Sequence, residues 1–242
     1  MKKSIIFLSI TAMMVACAPK HSTERLICAE AEMCSFPFKK AGLHVIKQQT
    51  ITPVEGVDGL EVIETSFINL GKPVKVQGYE LCRMEMRAQD TVVWSLQPSS
   101  TSLRQDWVLP VTEGFYQCNY LGMNNTDYGG GIPLVDLWQR DGGVAIGLFE
   151  PVLRMISMPV EWKRYGKTVS ACLQYNLPEP IEMATGDTLK CFKAFRYSHK
   201  GDYFNALRMF SEYMQANEGV QMQPSEPEAF EPVWCAWGYA YF

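Results

Sequence analysis

The sequence has only three histidines, no CxxC pair and no long run of Lys or Arg. His21, His44 and His199 lie far apart, with no Cys or acidic partner at ligand spacing, so each reads as a surface or loop histidine. No metal centre and no cofactor are expected. The formal net charge of -4 leaves nucleic acid without an electrostatic basis, because phosphate binding rests on clustered cations. A nucleotide loop is excluded as well: no Lys-Ser or Lys-Thr follows the glycines of residues 129–131, and no GxGxxG follows a strand. Cysteine is sparse for a chain of 242 residues, so the fold depends on its core rather than on bridges. With 47% hydrophobic and 20% charged residues, the chain has enough apolar material for one large domain or two small ones.

Export is read from the N-terminus. Met1, Lys2 and Lys3 form a positive start, and residues 4–16 are an apolar stretch too short to span a bilayer comfortably. The stretch ends Met14-Val15-Ala16-Cys17, which resembles the lipobox of bacterial lipoproteins, with Met14 where Leu is commoner. That resemblance makes residues 1–17 a signal and Cys17 the acylated residue, holding the protein to a membrane of the bacterial envelope on its periplasmic or cell-surface side. Each buried acyl methylene contributes roughly 0.8 kcal/mol to such an anchor. Seven cysteines remain, of which Cys28 and Cys34 are close enough in sequence to pair locally. The others read as small buried apolar residues.

Residues 18–40 are weakly patterned and read as a tether. From 41 to 200 the chain alternates strand after strand with Gly and Pro punctuation: 43–51, 60–70, 72–86, 91–96, 134–139, 144–149, 158–162, 168–175 and 188–197. The run VKVQGYELCRMEM places Val74, Val76, Gly78, Glu80, Cys82, Met84 and Met86 on one face, the more apolar one. Asp141-Gly142 between two apolar runs predicts a hairpin whose central residues take positive φ. Such a succession without helices implies antiparallel sheets in a sandwich larger than an immunoglobulin domain. A helix then follows, capped by Asp202, with Phe204, Leu207, Met209, Phe210, Tyr213 and Met214 as its core stripe and Asn217 and Gly219 as its stop. Residues 201–229 therefore comprise a helix and the linker QMQPSEPE, rich in polar residues and proline.

Residues 230–242, FEPVWCAWGYAYF, form an aromatic tail in which 233–237 read as a fully buried strand. Two readings stay open: the first strand of a second domain, or a terminal strand completing the earlier sheet. The loop YLGMNNTDYGGGIPLVDLW is equally two-sided. It is either a tight crossover between sheets or a projecting loop in which Asp127, Tyr128 and Gly129 offer a carboxylate, a stacking ring and an unobstructed backbone to a polar ligand. In a barrel strand, Trp237 would stand at the substrate-facing end, where its ring suits the apolar face of a sugar.

The loop DYGGGIPLVDLW, the hairpin with GVAIGLFE and the segment PVWCAWGY behind a helix and Pro-rich linker resemble bacterial α-galactosidases of glycoside hydrolase family 36 over about residues 40–242. The resemblance implies an N-terminal β-supersandwich followed by a (β/α)₈ barrel, with Trp237, Tyr241 and Phe242 matching the WxxxYF of the first barrel strand. It implies retaining hydrolysis of terminal α-galactosides by two Asp carboxylates ~5 Å apart, both on later barrel strands. No residue here inherits either role. The chain is thus expected to be an accessory domain followed by the start of a truncated barrel, inactive alone. Its expected ligand is a galactose-containing oligosaccharide or polysaccharide, with Trp237 as a wall of the galactose subsite. The loop of Asp127, Tyr128 and Gly129 is its rim, reaching a neighbouring subunit in a homo-oligomer. The alternative is a non-catalytic carbohydrate-binding or structural surface lipoprotein.

Overall fold

A computed structural model describes residues 27–29, 45–88, 91–98, 107–121, 131–152, 154, 156–164, 167–221 and 224–227. In chain order these form β1 (Ile27–Ala29), β2 (Val45–Pro53), β3 (Leu60–Asn69), β4 (Val74–Arg87), β5 (Val93–Leu96), β6 (Val108–Val111) and β7 (Tyr116–Leu121). Then come β8 (Leu134–Gln139), β9 (Gly142–Leu148), β10 (Ile156–Lys163), β11 (Thr168–Met183), β12 (Thr188–Lys190), β13 (Ala194–Lys200) and α1 (Tyr203–Asn217).

The expected antiparallel sandwich is present. One sheet has five strands in the order β1-β4-β11-β10-β7; the other has eight, β12-β3-β13-β9-β8-β5-β6, with β2 on the remaining edge of β3. Each pairing is antiparallel. Ile27–Ala29, inside the stretch read as a tether, lies against β4. The run read as one strand over 188–197 is two: β12 and β13 pair with successive parts of β3.

The eight-stranded sheet is covered on both faces, which makes three layers. Val135, Leu137, Ile146, Leu148 and Ala194 face the five-stranded sheet, in a core with Leu81, Met158, Val160 and Leu173. Their alternates Leu134, Trp138, Ala145 and Phe195 pack with Phe149 against Ala206, Met209 and Met214 of α1. A strand sandwiched this way has no polar face, so β8 reads LVDLWQ and is buried through its first five residues. Its one charged residue, Asp136, is completely buried.

Within β4 the strict alternation fails. Leu173 pairs with Cys82 and Gln174 with Glu80, so Leu81 is an extra residue, and a second register shift separates Val76 from Gly78. Together these turn Tyr79 and Leu81 into the core and leave Glu80 half-buried, where it pairs with Arg83. A bulge is the physical means of placing apolar residues of both parities on one face.

Helix α1 begins and ends as expected. The Asp202 carboxylate accepts from the Phe204 amide at 3.1 Å, and Gly219 takes φ +68° while the Val220 amide donates to the Met214 carbonyl. The stripe holds for Met209 and Met214, with Leu207, Phe210 and Tyr213 partly buried. Phe204 departs from it, being 62% exposed. Residues 230–242, and with them the expected barrel strand, lie outside the described residues.

Candidate functional site

The helix-facing side of β9 carries Gly143, Ala145 and Gly147, while its other side carries Val144, Ile146 and Leu148. This pattern explains the sequence GGVAIGL. On β13, the larger Phe195, Tyr197 and His199 share that helix-facing side, opposite Gly147, Ala145 and Gly143 in register. Small residues on the middle strand leave room for rings from β13 to lie across it. A Cβ at Gly147 would meet the Phe195 ring at 2.5 Å, and one at Gly143 would meet His199 Nε2 at 2.8 Å.

Across this gap His199 reaches Asp136 of β8. Its Nε2 lies 3.0 Å from Asp136 Oδ1, and the two side chains are 1% and 0% exposed. The expectation that His199 is a surface or loop histidine is therefore corrected. The partner sits 63 positions away in sequence and two strands away in space, beyond any local spacing rule. His199 Nδ1 lies 3.3 Å from the carbonyl oxygen of Lys200, and among the described residues no group lies within hydrogen-bonding geometry of Asp136 Oδ2. Burial pushes the Asp136 carboxyl up from its ordinary value, against the opposing pull of His199. Burial works against the imidazolium, but the hydrogen bond and charge of Asp136 hold the His199 pKa above its ordinary value.

The hairpin turn differs from expectation too. Gln139 pairs with Gly142, so the two turn residues are Arg140 and Asp141, and no residue from Arg140 to Gly143 has positive φ. The glycines of this motif serve clearance over the strand rather than the turn.

Next to the buried pair, aromatic rings run from the sheet to the start of the helix. Trp94 stacks on Trp138 at 6.5 Å, Trp138 tilts against Tyr203 at 5.2 Å, and Tyr203 stacks on Phe204 at 4.4 Å. The two end rings, Trp94 and Phe204, are exposed. Such rings have the shape and chemistry to stack on the apolar faces of a sugar. On the opposite side of the eight-stranded sheet, an open cleft of about 900 Å³ lies at a mouth of the sandwich. Met84 and Val144 supply its apolar lining, and the Glu61–Arg196 ion pair at 2.6 Å, with Ser198, its polar one. Periodicity within one strand does not show which layer each face of β13 serves: Ala194 packs toward the five-stranded sheet and Phe195 toward the helix.

Among the described residues no group of three or more His, Cys, Asp or Glu is placed to hold a metal ion. Cys82 and Cys172 are buried and Cys118 and Cys191 partly so, and all four thiols are free. Burial pushes the Cys82 and Cys191 thiols up to about 12. These are packing residues, not nucleophiles.

The residues singled out from sequence for ligand contact, Asp127, Tyr128, Gly129 and Trp237, lie outside the described residues, as does Cys17. What is described is the setting of the loop. Leu121 closes β7 in the five-stranded sheet and Leu134 opens β8 in the other, so the intervening segment connects the two sheets. Gly131, at its end, takes φ +97°.

No family model matches the chain. Among curated proteins it is 25% identical, over 117 residues, to an A type blood α-D-galactosamine galactosaminidase of Flavonifractor plautii; the match covers 48% of this chain and 10% of that protein. Among solved structures it resembles the galactosidase domain of the α-galactosidase-sucrose kinase AgaSK, with a TM-score of 0.54 and 13% identity over 72% of this chain and 24% of that one. It also resembles the family 36 α-galactosidase AgaA of Geobacillus stearothermophilus in complex with stachyose, with a TM-score of 0.51 and 13% identity over 70% and 24% of the two chains. The chain thus matches about a quarter of each solved chain and a tenth of the curated relative. The resemblance read from the sequence motifs is borne out in the fold: the sandwich is similar to part of the α-galactosidases of glycoside hydrolase family 36.

Proposed function

We propose that this chain is the N-terminal accessory β domain of an exported, lipid-anchored glycoside hydrolase of the α-galactosidase type, acting on galactose-containing oligosaccharides. The observation that carries the reading is the fold likeness to AgaSK over 72% of the chain, together with the loop, hairpin and tail motifs. The stachyose bound to AgaA supports the class of ligand.

In this reading the sandwich supplies surface and scaffold, and the carboxylates of the retaining reaction come from the barrel. Asp136 is sealed beneath α1 and engaged by His199, out of reach of a glycosidic bond. Asp127, Tyr128 and Gly129 form the rim of the sugar site and Trp237 its wall, with the rim reaching a second subunit. Trp94 and Phe204 offer further stacking surface on the same domain. Cys17 carries the acyl anchor.

The test is an assay of the chain, freed of residues 1–17, on an aryl α-galactoside. The expected result is no turnover above the blank. Turnover abolished by replacing one of its own carboxylates, such as Asp127→Asn, would overturn the reading. A reading frame beyond the Phe242 codon that encodes further barrel strands would support it, whereas unrelated sequence there would favour a free-standing binding lipoprotein.

A further inference from the structure

His199 is placed so that both of its ring nitrogens face acceptors. Nε2 meets a carboxylate oxygen of Asp136 at 3.0 Å, and Nδ1 meets the Lys200 carbonyl oxygen at 3.3 Å. A neutral imidazole has one N–H and can donate to one of them only. Two arrangements satisfy both contacts. Either the ring is an imidazolium donating to Asp136 and to Lys200, or a protonated Asp136 donates to Nε2 while Nδ1–H donates to Lys200. They differ in where a proton sits, not in how many protons the pair holds. In both, the pair keeps one proton more than a neutral histidine beside a carboxylate.

The surroundings make that proton matter. Asp136 comes from β8, and β9 between them contributes only Gly143 and Ala145, which carry no charge. The helix contributes its capping residue, Asp202, whose negative charge favours proton retention by both partners. Tyr197 stacks on the imidazole at 5.6 Å from its own strand. The end of β13 continues directly into the helix: the Gly201 amide donates to the Asp141 carbonyl, Asn205 Nδ2 donates to the Lys200 carbonyl, and Asp202 caps α1. Fastening His199 to β8 therefore fastens the first turn of α1 to the sheet.

We propose that Asp136 and His199 form a proton-held latch, in which one shared proton ties the start of α1 to β8 and a rise in pH releases it. In the unfolded chain, histidine loses its proton near pH 6.5 and aspartate near 3.9. Between these values the folded and unfolded states hold equal numbers of protons at this pair. Above about pH 6.5 the folded state holds one more, so stability falls as pH rises until the folded pair itself deprotonates. Both partners are shifted upward, the direction this requires. One proton of difference corresponds to up to a tenfold fall in the folding constant for each pH unit.

The test compares the wild-type chain with Asp136→Asn. An amide in this place can donate to Nε2 without an additional proton, so the variant keeps both hydrogen bonds at every pH above 6.5. The expected result is a wild-type folding constant, measured by urea denaturation, that drops several-fold between pH 6.5 and 8.5 while the Asp136→Asn value stays within twofold. Ring ¹⁵N shifts of His199 in the wild-type chain, assigned by loss of the signals in His199→Gln, give a reading that does not depend on the variant folding. An imidazolium, or an Nδ1–H tautomer with an Nε2 acceptor, at pH 7.5 supports the latch. An Nε2–H tautomer at that pH, or the same pH slope in both proteins, overturns it.

Discussion

Replacing Gly143 by alanine tests whether the glycines of the β8–β9 hairpin exist for clearance. A Cβ there would stand 2.6 Å from the Leu137 carbonyl oxygen and from Trp138 Cβ, and 2.8 Å from His199 Nε2. The first two belong to the paired strand and have little freedom to move; the third is the end of a side chain that can swing, but only by leaving Asp136. Overpacking of this kind costs about 1–3 kcal/mol. Leaving a buried carboxylate oxygen without its donor adds ~1–3 kcal/mol. The lost freedom of glycine in the unfolded chain offsets roughly 0.4–1 kcal/mol. The net expectation is a destabilisation of about 2–4 kcal/mol by urea denaturation at pH 6.5. The attribution to His199 is read from a double-mutant cycle with His199→Ala. Removing the imidazole leaves the backbone clash in place and relieves the other, so the two substitutions should couple by ~1 kcal/mol, inside the range seen for residues in contact. Costs that add to within ~0.3 kcal/mol would refute the idea that this glycine makes way for the histidine.

Two further outcomes follow from the packing. Phe149 stacks on Phe195 at 4.4 Å and on Tyr213 at 3.7 Å, so Phe149→Ala should cost about 3–5 kcal/mol and release α1 from the sheet; retention of the wild-type near-ultraviolet circular dichroism would count against a joint role for these rings. With its thiol pushed up to about 12, Cys82 should hold roughly 2,000-fold less thiolate at pH 8 than an ordinary thiol, which loses its proton near 8.5, and be alkylated correspondingly slowly. Site-resolved mass spectrometry of native protein checks this, and labelling as fast as in the denatured chain would contradict the burial.

What the sequence disclosed depended on how far each signal reaches along the chain. The period-two run of β3 and the continuous apolar run of β8 announce themselves, because both patterns and their Gly or Pro boundaries are local, and the Asp202 cap is likewise written within a few residues. The short strand β6, with Pro110 inside it, carries too little alternation to be read, and it exists because its neighbour β5 holds it. The bulge at Leu81 is invisible for a similar reason: only pairing with Leu173 and Gln174 shows that β4 has one residue to spare. His199 is the sharpest case. In sequence it is a lone histidine with no ligand partner, and its meaning depends on Gly143 and Asp136 on two other strands. Even so, the signal was present in part. GGVAIGL alternates small with branched residues, and AFRYSHK alternates rings with polar groups, so laying one strand on the other puts the rings over the small residues. Glycines in a strand that are not needed for a turn call for a reason. Here the reason is a buried imidazole, and the site that matters to this fold is the one those glycines leave room for.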